Sequence, residues 1–482
     1  MILHIAKREF YDNMNSLRFT LMMILILILM MVNAMGHVGE HNTRLEEYSK
    51  NVSESLDQMK SHTSNLYNLV LNGPGKLYKK PSPLLFCADG GDDFLSRYAV
   101  GEKSGWWSKW GGDFSYSVEG IWRLRYPQSN PNLWNIMPDF TKIDWAFIIS
   151  VVLSFVAILF TFDAISGERE RGTLRLILSN PIPRATVLLG KFLGAFLGIS
   201  LPFLIGALIN LFWLYTSRSV PLGLGELGRL SVILLITFTY ISIFIILGLM
   251  VSSWANQSSV SLMILLLIWT VSVVLMPNTF GSIVSHLKTT RTSDEFQDIH
   301  RQSQRSLDEQ YNARGRFNKA PTREIPATSA TVLWAEYLTE EAQLEERLNE
   351  EHLNAQIAQI KIARSITRLS PAAIVQYAIE SLVGTGFPRH LQFLDQVHQY
   401  ASEFREFLIV TDRADPQSPH AYFVKEGMSE KPVRFESIPK FEDRFTFSGS
   451  LNIAAMDIMF LILFFMVLFA GAYLSFLRVE IL

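Results

Sequence analysis

The sequence predicts an all-α polytopic membrane protein: six transmembrane helices, an N-terminal interfacial helix, a short amphipathic helix in one loop, and two aqueous regions, the second mainly helical. Three observations lead to this prediction. Of the 482 residues, 49% are hydrophobic and 18% charged, and the mean hydropathy is +0.20, which indicates membrane spans combined with sizeable aqueous parts. Six apolar runs are long enough to cross a bilayer. Positive charge is concentrated in particular short loops.

The N-terminal segment, residues 1–18, places apolar residues three or four positions apart, with Lys7, Arg8 and Asp12 between them. This spacing predicts an amphipathic helix that lies in the membrane interface. Residues 19–36 form an almost unbroken apolar run, which we predict to be the first span. A cleaved signal peptide is the alternative, but the charged leader is long and residues 33–36 make a poor cleavage site. We therefore expect this span to be retained.

The other elements follow from apolar length and from the polar or proline-containing stretches that end each run. Residues 37–143 are too polar for a bilayer and form the first predicted extracytoplasmic region. After Pro277, helical periodicity with many glutamates predicts a second, mainly helical region. The predicted bounds are 144–163 for the second span, 164–186 for a cytoplasmic loop, 187–215 for the third span, 230–251 for the fourth, 258–277 for the fifth, 278–449 for the second region and 450–477 for the sixth span.

Small residues recur at every fourth position of the third predicted span, at Gly190, Gly194, Gly198, Pro202 and Gly206. Such a stripe lets another helix backbone approach closely, and the proline invites a kink. The stripe either packs inside the protomer or lines the seam of a dimer.

The loop after the second span is short, charged and helix-prone. Asp163 and the charged run 168–171 cannot stay in hydrocarbon, so the chain leaves the bilayer there. Gly172 and Thr173 can open a new helix with an apolar face. Prolines at 181 and 183 end that helix, because they lack amide donors and restrict the residues before them. The expected product is an amphipathic helix at the membrane surface.

The ordered pattern of this loop is Ser-Gly-Glu168, Gly172-Thr-Leu174, Leu178-Ser179, Pro181-Ile-Pro-Arg184 and Leu-Gly190-Lys191. It resembles the first cytoplasmic loop of ABC-2 type permeases, the membrane subunits of ATP-driven exporters. The resemblance is close in this loop and looser across the six-span layout, and residues 369–386 resemble the subgroup with large extracytoplasmic insertions. In that family the loop carries the coupling helix that docks on a separate ATPase subunit. An ordinary amphipathic connector is the alternative.

The resemblance implies a non-catalytic subunit in the cell (inner) membrane. Its expected partners are ATP-binding cassette ATPase subunits, which would hold ATP and Mg, and a second permease copy or a paralogue. Membrane lipid and an extracytoplasmic accessory protein are further expected partners. The resemblance assigns ATPase coupling to Glu168, Arg169, Glu170, Arg171, Gly172, Thr173, Leu174, Ile177 and Leu178.

Charge in the short loops predicts the orientation. Five positive residues lie between positions 169 and 191, and others flank the first span, whereas the link after the third span offers only Arg218 and Arg229. The positive-inside rule therefore places both termini and the loop 164–186 in the cytoplasm. Both long aqueous regions then lie outside.

The sequence predicts no catalytic, cofactor or metal site in this chain. No G-x-x-x-x-G-K-[ST] pattern occurs, because the nearest stretch has Ala185 in place of the first glycine and Phe192 in place of the hydroxyl. Scattered histidines and the single Cys87 predict neither a metal site nor an internal disulfide. A net charge of −2 without a basic arm gives no indication of nucleic acid. Asp457, inside the sixth predicted span, is either functional or simply hydrated or hydrogen-bonded near the outer interface.

Two functions from different classes remain. One is the permease of an ATP-driven exporter, and the other is a non-transport membrane sensor or scaffold that binds partners through its outer regions. The loop distinguishes them, because only a permease needs a docking helix with charged flanks.

Overall fold

The computed structural model describes residues 1–107, 117–125, 143–179, 183–217, 223–277, 279, 293–314 and 329–478. Within these residues, six helices are long and apolar enough to cross a membrane, which confirms the predicted all-α polytopic fold. These candidate spans 1 to 6 are Leu17–Ser64, Trp145–Glu170, Arg184–Thr216, Leu224–Trp254, Ser258–Leu275 and Phe447–Leu477.

The α-helices used below are numbered in chain order. They are α1 (Ile2–Met14), α2 (Leu17–Ser61), α3 (Leu66–Asn72), α4 (Trp145–Phe147), α5 (Ser154–Thr161), α6 (Ser166–Glu170), α7 (Thr173–Ser179), α8 (Arg184–Thr216), α9 (Leu224–Trp254), α10 (Ser258–Trp269), α11 (Ser293–Ala313), α12 (Ser329–Thr367), α13 (Pro371–Val383), α14 (Gly386–Arg413) and α15 (Phe447–Leu477).

Helix α2 begins in the predicted first span and continues without a break to Ser61, well past residue 36 where the predicted span ends. The Ser16 hydroxyl caps its start by accepting a hydrogen bond from the Phe19 amide at 3.2 Å. Gly36 and Gly39 do not end the helix, and a Cβ at either would meet no atom. The helix therefore continues past the predicted first span as one unbroken rod.

The glycine stripe of α8 begins against α1. A Cβ at Gly190 would lie 2.6 Å from Ile5 Cγ2, and one at Gly194 would lie 2.5 Å from Glu9 Cβ. Only glycine permits so close an approach of two helices. The Ile5 face of α1, which the sequence predicts to lie in the interface, therefore has a protein partner in α8.

Further along α8, the stripe meets α2. A Cβ at Gly206 would lie 3.2 Å from Met30 Cγ, whereas one at Gly198 would only reach ordinary contact with Asn13 at 3.8 Å. Pro202 is buried inside the helix. Of the two alternatives for the stripe, the structure shows packing within the protomer.

Spans 2 and 5 each contain a π-helical segment, at Ile148–Leu153 and Thr270–Leu275. Such a segment departs from the regular α-helical hydrogen-bond ladder. The Tyr240 hydroxyl donates to the Ser150 carbonyl at 2.7 Å, and the Ser370 hydroxyl donates to the Ser272 carbonyl at 2.5 Å. Both π-helical segments pack beside α13.

We call the side of the bundle that carries α1, α6 and α7 the N-terminal side, and the opposite side the insertion side. On the insertion side, β1 (Gly75–Tyr78), β2 (Tyr98–Trp107) and β3 (Ser117–Arg125) form an antiparallel sheet in the order β1-β2-β3. Trp122 of β3 packs edge-on against Phe404 of α14, with ring centroids 5.5 Å apart. The two long regions thus share one hydrophobic core.

Helix α13 lies among the candidate spans although it is not one of them. All its residues except Gln376 are buried, and they pack against spans 4 and 6 and the two π-helical segments. The sequence interpretation placed residues 278–449 entirely outside the membrane part. At about 1.5 Å per residue the helix is only about 20 Å long, too short to cross a bilayer. Its apolar composition nevertheless favours burial within the bundle.

Candidate functional site

The loop between spans 2 and 3 folds into two short helices, α6 and α7. Gly172 separates them with a φ of +73°, a left-handed conformation that suits glycine. A Cβ there would meet no atom, so backbone conformation rather than space favours the glycine. The Thr173 hydroxyl donates to the Glu168 carbonyl at 3.2 Å and closes the turn.

Glu168 faces inward rather than towards a partner. Lys191 Nζ donates to one carboxylate oxygen of Glu168 and to one of Glu9, both at 2.8 Å. The lysine side chain is 3% exposed, whereas the glutamates keep 22% and 27%. One buried cation therefore joins α1, α6 and α8.

Arg169 and Glu170 bind the turn between spans 4 and 5. Arg169 Nη1 donates to the Ala255 carbonyl at 2.9 Å and Nη2 to the Ser253 carbonyl at 3.0 Å, which satisfies the free carbonyls at the end of α9. The Glu170 carboxylate accepts from the Ser258 amide and hydroxyl, both at 2.9 Å, at the start of α10. Each charge stabilises the helix end that its sign favours.

Ser252 completes the connection. Its hydroxyl oxygen accepts from the Ile165 and Ser166 amides, both at 3.0 Å. We call the residues that join the loop to the other helices the clamp: Glu9, Ser166, Glu168, Arg169, Glu170, Lys191, Ser252 and Ser258. The clamp makes the loop and the short turn between spans 4 and 5 one unit.

The outer surface of this unit differs from the predicted one. Leu174 is only 5% exposed and belongs to the core of the protomer, whereas Leu176 is 68% exposed. Arg171 and Arg175 are also exposed, as are Gly172 and Thr173. The side chains of Ile177 and Leu178 lie outside the described part of the structure.

Trp254, at the end of α9 beside the clamp, is 63% exposed. Sequence reasoning missed this residue and the capping roles of Arg169 and Glu170. A tryptophan at the end of an apolar run and a serine at the start of the next are the available signals. Neither signal names a partner more than eighty residues away in the chain.

Asp457 lies in span 6 with its side chain 2% exposed. Arg368 Nε donates to one carboxylate oxygen at 2.5 Å and Nη2 to the other at 3.2 Å. Nearby, Arg364 donates to Glu380 at 2.8 Å. Asp457 is thus hydrogen-bonded, one of the alternatives that the sequence left open, and sequence reasoning did not find its partner.

Within the described ranges, no group of three or more His, Cys, Asp or Glu residues is placed to hold a metal ion. Cys87 is buried with a free thiol. The charged groups that the loop contributes to the clamp either cap the ends of α9 and α10 or pair with Lys191. They therefore hold neighbouring helices together.

Comparison with known protein families decides the class. The family described as ABC-2 family transporter protein matches residues 3–481, almost the whole chain. The chain belongs to the ABC-2 transporter family. Membership supports a membrane-embedded transporter permease, a kind of subunit that is generally non-catalytic.

Two curated relatives align with short parts of the chain. A probable ABC transporter permease protein NosY of Pseudomonas aeruginosa is 41% identical over 81 residues, which cover 16% of this chain and 30% of that protein. A probable NosY of Stutzerimonas stutzeri is 47% identical over 55 residues, 11% of this chain and 20% of that protein. The chain thus spans less than a third of the length of the curated relatives it matches.

Proposed function

We propose that this chain is the permease subunit of an ATP-driven exporter and that a separate ATP-binding cassette ATPase docks on its N-terminal side. The observation that carries the proposal is the clamp. It holds the loop to four other helices, while Leu176, Arg175 and Trp254 face outward. This arrangement suits a lever that receives force from outside and distributes it within the bundle.

The clamp defines how movement would spread. Glu168 holds Lys191 of α8 and, through it, α1, whereas Arg169 holds the end of α9 and Glu170 the start of α10. Because packed helices shift as rigid bodies, a displacement of α6 moves these four helices together. ATP and Mg belong to the partner ATPase in this proposal.

The exposed surface indicates what the ATPase presents. Leu176 and Trp254 supply two apolar anchors, and Arg171 and Arg175 add positive charge. Aromatic and apolar anchors carry most of the binding free energy at interfaces, while charges at the rim steer association. We therefore expect an apolar cleft with an acidic rim, and we assign Leu174 the role of anchoring α7 from inside.

This proposal places the N-terminal side in the cytoplasm, in agreement with the positive charge of its short loops. It also includes a second permease copy or a paralogue. In the most apolar 18-residue stretch of spans 5 and 6, 17% of the residues are buried, against 72% in span 4. Spans 5 and 6 therefore leave faces for lipid or a second permease. A native mass of one permease with one ATPase would contradict this part of the proposal.

The proposal is tested by co-purification with the ATPase and by stimulation of ATP hydrolysis. Removing one anchor that becomes buried on docking costs about 1–3 kcal/mol of binding free energy, so we expect Leu176→Ala and Trp254→Ala each to weaken assembly about fivefold to 150-fold. Leu197→Ala is the matched control, because this leucine of α8 is 47% exposed away from the loop. If Leu176→Ala and Trp254→Ala both assemble with the ATPase and stimulate hydrolysis like wild type, the loop is only a connector.

A further inference from the structure

Helix α13 closes the insertion-side end of the bundle and is held at both ends. Ser370, its N-cap, donates to the Ser272 carbonyl of span 5. Near its other end, the Ser82 hydroxyl donates to the Val383 carbonyl at 2.6 Å, and the Thr385 hydroxyl donates to the Ala88 carbonyl at 2.9 Å. Helix α13 and the segment 82–88 therefore form one layer across the bundle.

Two ion pairs lie beside this layer. Arg364 of α12 pairs with Glu380 of α13, and Arg368, in the turn between α12 and α13, pairs with Asp457 of span 6. Tyr377 lies between them, since its ring centroid is 3.8 Å from the Arg364 guanidinium and 5.9 Å from that of Arg368. We call these five residues the latch.

The latch joins three separate elements. Arg364 lies in the last turn of the long helix α12, Arg368 follows that helix directly, Glu380 lies on α13, and Asp457 lies on span 6. A movement of span 6 away from α13 and the turn before it would have to separate Arg368 from Asp457. The pair thus adds a charged contact to the apolar packing between span 6 and α13.

The free energy of burying charges favours the interpretation that these ion pairs open during function, rather than only stabilising the fold. The side chains of Asp457 and Glu380 are each 2% exposed. Apolar residues of similar volume often hold two elements as well as a buried ion pair does, because the pair loses hydration. Charged partners regain that hydration when water enters between them, whereas separated apolar surfaces gain nothing. An ion pair therefore suits elements that separate into water repeatedly.

We propose that α13 is a gate on the exit side of the transport path and that the Arg368–Asp457 pair latches it to span 6 in the closed state. The inference rests on the proposed function, because movement driven by the ATPase must open the gate. Asp457 is then a positioning residue for transport.

Cys87 provides a reporter for the gate. It is fully buried in the segment 82–88, which hydrogen-bonds to the C-terminal end of α13, and it is the one cysteine of the chain. Burial raises the pKa of its thiol well above the usual value, so the closed state protects it from maleimide both sterically and chemically. Opening of α13 would expose it.

The experiment measures the labelling rate of Cys87 by a membrane-impermeant maleimide, in the permease–ATPase complex in proteoliposomes, with and without ATP. We expect slow labelling of wild type without ATP and faster labelling during ATP hydrolysis. Arg368→Gln and Asp457→Asn should each raise the rate without ATP about tenfold or more and make it insensitive to ATP. Glu442→Gln, which disrupts an exposed pair with Arg444, is the matched control and should behave like wild type.

Two results would overturn the latch. In one, Cys87 of both variants is labelled at the wild-type rate. In the other, the variants are labelled faster but keep the full ATP dependence, which indicates general loosening of the fold. Arg368→Lys is the control for misfolding, because it keeps the positive charge and should give an intermediate labelling rate of Cys87. If wild type does not stimulate the ATPase, the proposed function fails instead, so the two failures are distinguishable.

Discussion

The clamp on the N-terminal side and the latch on the insertion side both bury charges, but they use them differently. In the clamp, Arg169 and Glu170 bind backbone groups at the ends of helices, and Glu168 keeps 22% of its side chain exposed. In the latch every ion pair joins two side chains, and no backbone group takes part. The Arg368–Asp457 pair, with 19% and 2% of its side chains exposed, is about as dry as Lys191–Glu168, with 3% and 22%.

The difference indicates two kinds of joint. A charge that caps a helix end satisfies groups that would need partners in every state, so such a contact is expected to persist. A dry pair between side chains satisfies only its own members and can be replaced by water. The N-terminal side is therefore expected to move as a unit, and the insertion side to move by separating.

The largest effect is expected where a pair is driest. The side chains of Arg389 and Asp443 are 2% and 0% exposed, so Arg389→Ala leaves a buried, unpaired carboxylate. We expect a loss of about 3–5 kcal/mol in the free energy of unfolding, measured by thermal denaturation in detergent. Arg444→Ala, at an exposed pair, should cost less than about 1 kcal/mol. Equal losses in the free energy of unfolding for the two variants would show that burial of an ion pair does not determine the cost of breaking it.

A smaller effect is expected in the clamp, where water reaches part of the site. Lys191→Ala leaves Glu9 and Glu168 facing each other, but both keep about a quarter of their side chains exposed. We expect a loss of about 2 kcal/mol, because partial hydration limits the cost of the unpaired carboxylates. Lys7→Ala on the exposed face of α1 serves as control, and denaturation at several salt concentrations gives the measurement. A loss larger than that of Arg389→Ala would reverse the ranking.

The third effect concerns pH. Asp144, just before span 2, accepts hydrogen bonds from the Phe147 and Asp89 amides, but burial raises its pKa to about 7 from 3.8. The folded state therefore retains a proton that the unfolded chain releases, so this group's contribution to stability falls as pH rises from about 4 to about 7 and is constant above.

In Asp144→Asn this pH-dependent part should vanish, although the lost acceptor for the Asp89 amide costs about 1 kcal/mol relative to wild type with Asp144 protonated. Denaturation from pH 5 to pH 8 provides the test, with the exposed Asp395→Asn as control. The same decline with pH in wild type and Asp144→Asn would assign it to other groups.

Apolar length and periodicity were enough to predict the six spans, because a bilayer imposes one dominant constraint on such helices. The loop was recognisable from local signals, namely the charges, Gly172 and the two prolines. Leu174, to which the resemblance assigned ATPase coupling, points into the protomer, whereas Leu176, which was not in that set, points out. A helix of only seven residues gives a periodicity too short to distinguish its two sides.

Long-range partners could not be predicted. Lys191 finds Glu168 and Glu9, and Arg368 finds Asp457, across separations that no local pattern encodes. The burial of α13 among the spans was also missed. A run of thirteen mostly apolar residues predicts a buried helix, but it does not distinguish the core of an aqueous region from a place between membrane spans. Its position depends on the shape of the surrounding bundle.

The unbroken rod of α2 has a geometric consequence. Beyond residue 36 it continues for about 38 Å at 1.5 Å per residue, and its far end carries α3 and adjoins the sheet. A tilt of about 10° at the membrane would swing that end by about 7 Å. Small rotations among the spans would thus appear, amplified, as displacements far from the bilayer, where a distance label on the rod could record them.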